Sequence, residues 1–418
     1  MKCLRLFMFS IVVTMLAAFI SGCGSFSPDS QVSDDITVKG SQAYGEDDLT
    51  GTKSVSGWAW YYVAPHVHST YSDGSWTVSQ ILNDVDGNDG SVGTAVNISD
   101  HAGEVNIPMP WTDAAFHETG SVMPVRGEEW GTKIDTDGNG SVDTETGHAV
   151  VFNINTGNNN PILVRKVVSG GKIKMGTYSN LLSDCTSRGA LVWCAHPFSV
   201  LPGQAIWYPK NQGWNTGGWV DGLEPRMIGI EVWNWSWGGT ADNQAAVDWW
   251  QSQLVRCTRH VAGLCGSDFH SHLEAAILGP CMRVYAASTS PADIETGIRN
   301  GRIIMVKDQT SARIYLRADT NNDGTYETIP GDKITATSAK TINYQVYIYG
   351  SGSSESIRIF TKAAGYTTVS SQSGAPYIYT FSKSYSANEK NFVRVELRQA
   401  PGSAYWPNGM ANPIYVNF

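Results

Sequence analysis

Between Trp58 and about Ile304, short apolar runs alternate with stretches whose apolar residues recur at helical spacing. The runs at 150–154 (VVFNI), 190–195 (ALVWCA) and 228–233 (IGIEVW) read as buried strands. Helices are predicted over 77–84, 180–188, 244–256 and 291–300. This alternation of strand and helix implies a mostly parallel sheet or barrel, and roughly 250 residues is an ordinary length for one. Beyond Gly301 the period changes. The segments 341–349 (TINYQVYIY) and 392–398 (FVRVELR) alternate apolar and polar positions, and Gly- and Ser-rich turns separate them. That pattern predicts a small antiparallel β-sandwich.

The first residues change the picture of where the chain resides. Lys2 and Arg5 precede an apolar run, Leu6 to Ile20, that is too short for a comfortable membrane span. The run ends in Ile20-Ser21-Gly22-Cys23, which resembles a bacterial lipobox. The resemblance implies that Cys23 is lipidated and becomes the mature N-terminus, and Gly24 after it favours the outer membrane or cell surface. Residues 24–56 are rich in Ser, Asp, Gly and Thr, a composition that cannot offset chain entropy by burial, and read as a flexible tether. The expected organisation is therefore a signal peptide over 1–23, a linker over 24–56, an α/β barrel over 57–304 and a β-sandwich over 305–418.

The net charge of −9 and pI of about 5.5 leave no bulk attraction for a nucleic-acid duplex, so the membrane contact is expected through the lipid anchor only. Of seven cysteines, Cys3 leaves with the signal and Cys23 is modified. Cys185, Cys194, Cys257, Cys265 and Cys281 remain. They lack the close pairing of a zinc knuckle and read as core thiols with one or two bridges permitted by export.

Five segments end an apolar run with residues that bind metals: His66-Val67-His68 followed by Asp73; Asp100-His101; Gly127-Glu128-Glu129 followed by Gly147-His148; Ala195-His196-Pro197; and Gly266-Ser267-Asp268-Phe269-His270. On a strand His66 and His68 point to one face, so two imidazoles can share an ion. Mixed N and O donors without thiolate suit zinc, manganese or iron. A lone His196-Pro197 is usually a loop histidine, and His66 and His68 alone would be surface strand residues about as often as ligands. Six of the nine histidines falling in such segments makes coincidence the poorer account.

The motifs HVHSTYSDG, SDH, GEE…GH, AHP and GSDFH, in this order across 66–270, resemble the polymerase and histidinol phosphatase (PHP) family. The resemblance implies a distorted seven-stranded (β/α) barrel with two or three divalent ions at the C-terminal strand ends. Carried over residue by residue, it implies that His66, His68, Glu129 and Asp268 hold one ion. Glu129 would bridge to a second with His148 and His196, and Asp73, His101 and His270 would hold a third. Asp100 is expected to orient an imidazole from behind, and Asp268 or His270 to pass a proton to the leaving group. The implied activity is hydrolysis of phosphoesters of a small-molecule substrate. The C-terminal β domain, GSDFHSH and the ending at 411–416 also look like the carbaryl-hydrolase-like branch, which adds carboxyl ester, carbamate and amide hydrolysis as an alternative. A non-catalytic, metal-stabilised surface binding protein is the alternative from another class.

Two loops carry the spacing of a calcium loop without its distal glutamate: Asp135, Asp137, Asn139 and Asp143, and Asp319, Asn321, Asp323 and Glu327. Calcium there and a plain polar turn remain equal readings. Trp207, Trp214, Trp219, Trp233, Trp235 and Trp237 either pack loops or line a pocket.

Overall fold

A computed structural model describes residues 37–42, 58–89, 94–102, 110–117, 120–131, 133–134, 144–145, 148–154, 167–169, 172–174, 178–198, 225–235, 240–256, 258–271, 276–350, 355–370, 377–399 and 407–418. The longer strands are β1 (Thr37–Gln42), β2 (Ala59–Val67), β3 (Thr94–Ile98), β4 (Val122–Trp130), β5 (Ala149–Phe152), β6 (Leu191–Cys194), β7 (Gly229–Asn234), β8 (Ala262–Gly266) and β9 (Cys281–Ala286). They continue as β10 (Ile303–Val306), β11 (Arg313–Asp319), β12 (Lys340–Tyr349), β13 (Glu355–Phe360), β14 (Tyr366–Ser370), β15 (Tyr377–Tyr385), β16 (Asn391–Gln399) and β17 (Pro407–Val416). The α-helices are α1 (Val78–Asp89), α2 (Tyr178–Arg188), α3 (Thr240–Val255) and α4 (Pro291–Arg299).

All four predicted helices are present, and their ends follow from local chemistry. Thr77 and Gln80 form a reciprocal cap at the start of α1: the Thr77 hydroxyl accepts from the Gln80 amide at 3.2 Å, and Gln80 Oε1 accepts from the Thr77 amide at 2.9 Å. Ser290 caps α4 by accepting from the Asp293 amide, Pro291 opens its first turn, and Gly301 at φ 72° follows its end.

The fold is mixed α/β, built on one large sheet with few helices. The order along that sheet is β8-β7-β6-β5-β4-β3-β2-β9-β10-β17-β16-β13-β14. β2, β3 and β4 run parallel, as do β6, β7 and β8, while β5 runs against both neighbours. Strands β3, β5, β6, β7 and β8 are buried at every position, which is why they read as mostly apolar runs rather than alternating ones. The sheet curls until the chain leaving β8 meets β2: Val67 bridges Phe269 in parallel, and the His68 amide donates to the Phe269 carbonyl at 2.8 Å. This closure brings the first and last ligand motifs side by side.

Two observations bear on the organisation. The expected boundary at 304/305 falls inside β10. Ile304 pairs with Ala411, so β17 carries the large sheet directly into the C-terminal strands. The open edge of β10 needs a hydrogen-bonding partner, and β17 supplies it. The span 24–56 is likewise not tether throughout, because β1 pairs antiparallel with β15 at the edge of the second sheet, β1-β15-β12-β11. β11 packs on β16 and β17, giving the C-terminal region two facing antiparallel layers. Cys23 lies outside the described residues. Among the described residues no helix is long and apolar enough to cross a membrane.

Candidate metal centre

Every ligand segment leaves a strand end at one rim of the curled sheet. His66 and His68 come from β2 and its exit, Glu129 from the end of β4, His148 from the entry to β5, His196 from beyond β6, and Asp268 and His270 from beyond β8. His101 belongs to a two-residue strand whose partner is Glu129. Two of these positions demand unusual backbone: His196 has φ 20° and Asp268 φ 52°, both positive in residues that are not glycine. Such strain persists only where surrounding structure fixes it, and it concentrates at functional sites. Gly131 makes room for His148, since a Cβ there would stand 1.9 Å from His148 Cδ2.

The innermost group is His66, His68, Glu129 and Asp268, all buried. His66 Nε2 lies 3.2 Å from Glu129 Oε2 and 3.2 Å from Asp268 Oδ1; His68 Nε2 lies 3.1 and 3.2 Å from the same atoms. His66 Nε2, His68 Nε2 and Asp268 Oδ1 are buried with no well-formed hydrogen bond. Bonds of about 2.0–2.1 Å to a tetrahedral ion require ligand–ligand edges of about 3.3 Å. The four donor–acceptor edges match, so the residues fit a small divalent ion better than a set of hydrogen bonds.

Glu129 reaches beyond that group with its other oxygen. Oε1 is 2.7 Å from His148 Nδ1 and 2.9 Å from His196 Nε2, so one carboxylate spans two clusters. A third cluster gathers around Asp73, with His270 Nε2 at 3.3 Å, His68 Nδ1 at 3.4 Å and His101 Nε2 at 3.5 Å. A neutral imidazole has one bare nitrogen. If His68 offers Nε2 to the inner group, its Nδ1 carries the proton, and the third cluster keeps Asp73, His101 and His270. His101 also stands 3.5 Å from Glu129 through Nδ1, between the second and third clusters.

Tautomers are set from behind. His66 Nδ1 faces Glu231 Oε1 at 3.1 Å, and His270 Nδ1 faces the Asp268 carbonyl at 2.9 Å. Asp100 acts on an imidazole only at one remove: it accepts from Ser72 Oγ at 2.6 Å, and Ser72 Oγ is 3.3 Å from His68 Nδ1. Asp100 also accepts from the Ser69 amide and hydroxyl, pinning the turn after β2.

Without ions the cluster balances its charges with protons. Burial pushes the His66 imidazole down, but Asp268 and Glu129 outweigh it and hold the ring well above the usual histidine range. Burial also opposes His270, which its bond to Asp73 lifts to about 9. His148 goes the other way, because burial outweighs Glu129. For Glu129 and Asp268 burial raises the pKa, and the neighbouring imidazoles bring both far below the carboxylate range.

Other expected site residues fall elsewhere. Asp135, Asp137, Asn139 and Asp143 lie outside the described residues. In the second calcium-type loop the oxygens are turned onto the loop's own amides. Asp319 accepts from Asn322 and Gly324, Asp323 from Thr325, and Glu327 from Thr320. These bonds make a tight polar turn, and the loop is not among the three metal-capable groups found in the described residues. Trp233 is buried, Trp235 is 40% exposed, and the other four loop tryptophans lie outside the described residues. Cys185, Cys194, Cys265 and Cys281 are buried free thiols.

Sequence reasoning assigned no role to Glu231 and Asn234. The available signal was a glutamate inside the apolar run of β7, where a buried carboxylate must have partners.

No family model and no curated protein matches the sequence. Among solved structures, a two-domain protein from Bacteroides vulgatus, described as containing a predicted PHP-like metal-dependent phosphoesterase, aligns at 12% identity and a TM-score of 0.39. The alignment covers 87% of this chain and 97% of that one. A likeness this distant leaves function to be read from the residues themselves.

Proposed function

We propose that the chain is an exported, lipid-anchored, metal-dependent hydrolase of the PHP type, acting on phosphoesters. One observation carries this reading. Residues from three separated motifs meet so that His66 Nε2, His68 Nε2 and Asp268 Oδ1, all buried and without well-formed hydrogen bonds, converge on Glu129 Oε2. The strands β2 to β8, consecutive in space as in sequence, are the ones this reading takes as the family's barrel.

His66, His68, Glu129 and Asp268 would hold one divalent ion, Glu129, His148 and His196 a second, and Asp73, His101 and His270 a third. Divalent ions in such a site lower the pKa of water from 15.7 toward about 7 and stabilise charge developing on a phosphoryl or carbonyl oxygen. The chain's own task is to fix the donors. The inner four are enclosed, whereas Asp73 is 52% exposed and His101, His148, His196 and His270 are each partly open, so substrate approaches from that side. Of the two groups named for proton transfer, Asp268 is enclosed among the inner donors, and His270 has both ring nitrogens engaged, Nδ1 with the Asp268 carbonyl and Nε2 toward Asp73, so the reading assigns the leaving-group proton to neither.

Elemental analysis of purified protein, paired with p-nitrophenyl phosphate, bis-p-nitrophenyl phosphate and p-nitrophenyl acetate, tests the proposal. Metal-dependent cleavage of a phosphate ester, abolished by His66→Ala or Asp268→Ala, is the expected result. Cleavage of the acetate alone would move the substrate to carboxyl or carbamoyl esters. Bound metal without any turnover would favour a binding protein.

A further inference from the structure

The strand β7 contributes no ligand, yet it places a carboxylate directly behind three of them. Glu231 is fully buried, on a strand whose other side chains are almost all apolar. Oε1 lies 3.1 Å from His66 Nδ1. Oε2 accepts from the His196 backbone amide at 2.8 Å and meets Asn234 Nδ2 at 3.4 Å. That Asn234 amide also donates to Asp268 Oδ2 at 3.2 Å. Asn234 is itself clamped, since its backbone amide donates to Asn243 Oδ1 at 2.9 Å and its carbonyl accepts from Asn243 Nδ2 at 2.9 Å.

We infer that Glu231 is a positioning residue that sets His66, His196 and Asp268 together, and so couples the first and second ion sites. The inference rests on the metal-centre reading above. As an acceptor on Nδ1, Glu231 holds the proton on that nitrogen and presents bare Nε2 to the inner group. By taking the His196 amide, it supports the backbone at φ 20° that swings His196 toward Glu129. Through Asn234 it orients the Asp268 carboxylate, so that Oδ1 faces the histidines while Oδ2 is occupied. The site is built for this carboxylate: a Cβ at Gly266 would stand 2.5 Å from Glu231 Oε1 and 2.6 Å from His66 Cβ.

Glu231→Gln is the informative change, because it preserves shape. A glutamine can accept from His66 or from the His196 amide, but its own NH2 then faces the other donor. The test uses full-length mature protein, zinc titrated against a chromophoric chelator, and 15N spectra of histidine-labelled protein that report which ring nitrogen of His66 is protonated. Glu231→Gln should weaken zinc binding about 10- to 100-fold and shift the His66 ring nitrogen signals, while Glu231→Asp partly restores both. Unchanged affinity and an unchanged His66 tautomer in Glu231→Gln would overturn the inference. Zinc-free wild-type protein that takes up no zinc would instead overturn the metal-centre reading. Should Glu231→Gln fail to fold, Asn234→Ala tests the Asp268 arm. Weaker zinc binding would support the inference and unaltered binding would refute it.

Discussion

Adding one methyl group at Gly131 should empty part of the metal centre without unfolding the protein. A Cβ there would sit 1.9 Å from His148 Cδ2 and 2.7 Å from Nε2 of the same ring. Carbon atoms pack at about 3.5–4.0 Å, so the imidazole must retreat by roughly 1.5–2 Å. His148 Nδ1 now stands 2.7 Å from Glu129 Oε1. Metal–ligand distances tolerate only about 0.2 Å, so a displacement of that size removes His148 as a donor. Overpacking costs about 1–3 kcal/mol, which a domain of ordinary stability survives. A misplacement of about 1 Å at a reacting centre costs on the order of 100-fold in rate. Gly131→Ala should therefore melt cooperatively within several degrees of wild type, bind fewer ions per chain by elemental analysis, and lose at least about 100-fold in kcat/KM for the hydrolysis proposed above. Wild-type metal content together with wild-type turnover would show that His148 is not a ligand and that the spacing around Glu129 has been misread.

In metal-free protein His270 is raised from 6.5 to about 9, so its contribution to stability is complete below about pH 6.5 and disappears as pH rises through 9. Glu129 and Asp268 are lowered, so theirs is present above about pH 4–4.5 and lost as pH falls below it. The His270 contribution predicts that the Tm of chelated protein falls toward pH 9, and the Glu129 and Asp268 contributions that it falls again below about pH 4.5, which a pH series of thermal melts checks. Zinc at 100 times its Kd should add about 2.7 kcal/mol to stability, read from urea denaturation with and without chelator. Far from the metals, the fully buried Arg394 bonds Glu396 Oε1 at 2.6 Å and Gln251 Oε1 at 2.7 Å, tying β16 to α3. Arg394→Ala should cost about 3–5 kcal/mol by urea denaturation and leave metal stoichiometry unchanged.

Much of the site was legible because its chemistry is local to short motifs. His66 and His68 share a face through strand period alone, and the four helices were legible from apolar residues recurring at helical spacing. What the sequence hid was long-range. The pairing of β10 with β17, more than a hundred residues apart, depends on which sheet edge remains open, and neither strand advertises its partner. The placement of β1 against β15 was masked by a polar composition that suits an edge strand as well as a tether. Glu231 looked like one polar residue in a buried strand until closure of the sheet put His66 beside it. The Asp319 loop shows the converse limit, since its spacing fits a cation or a turn and only the direction of its oxygens distinguishes them.

The most direct measurement is anomalous diffraction from crystals of the mature protein grown with zinc. A peak should appear among His66 Nε2, His68 Nε2, Glu129 Oε2 and Asp268 Oδ1, at about 2.0–2.2 Å from each. A second should lie beside Glu129 Oε1, His148 and His196. Zinc-saturated crystals with no peak among the inner four donors would contradict the account.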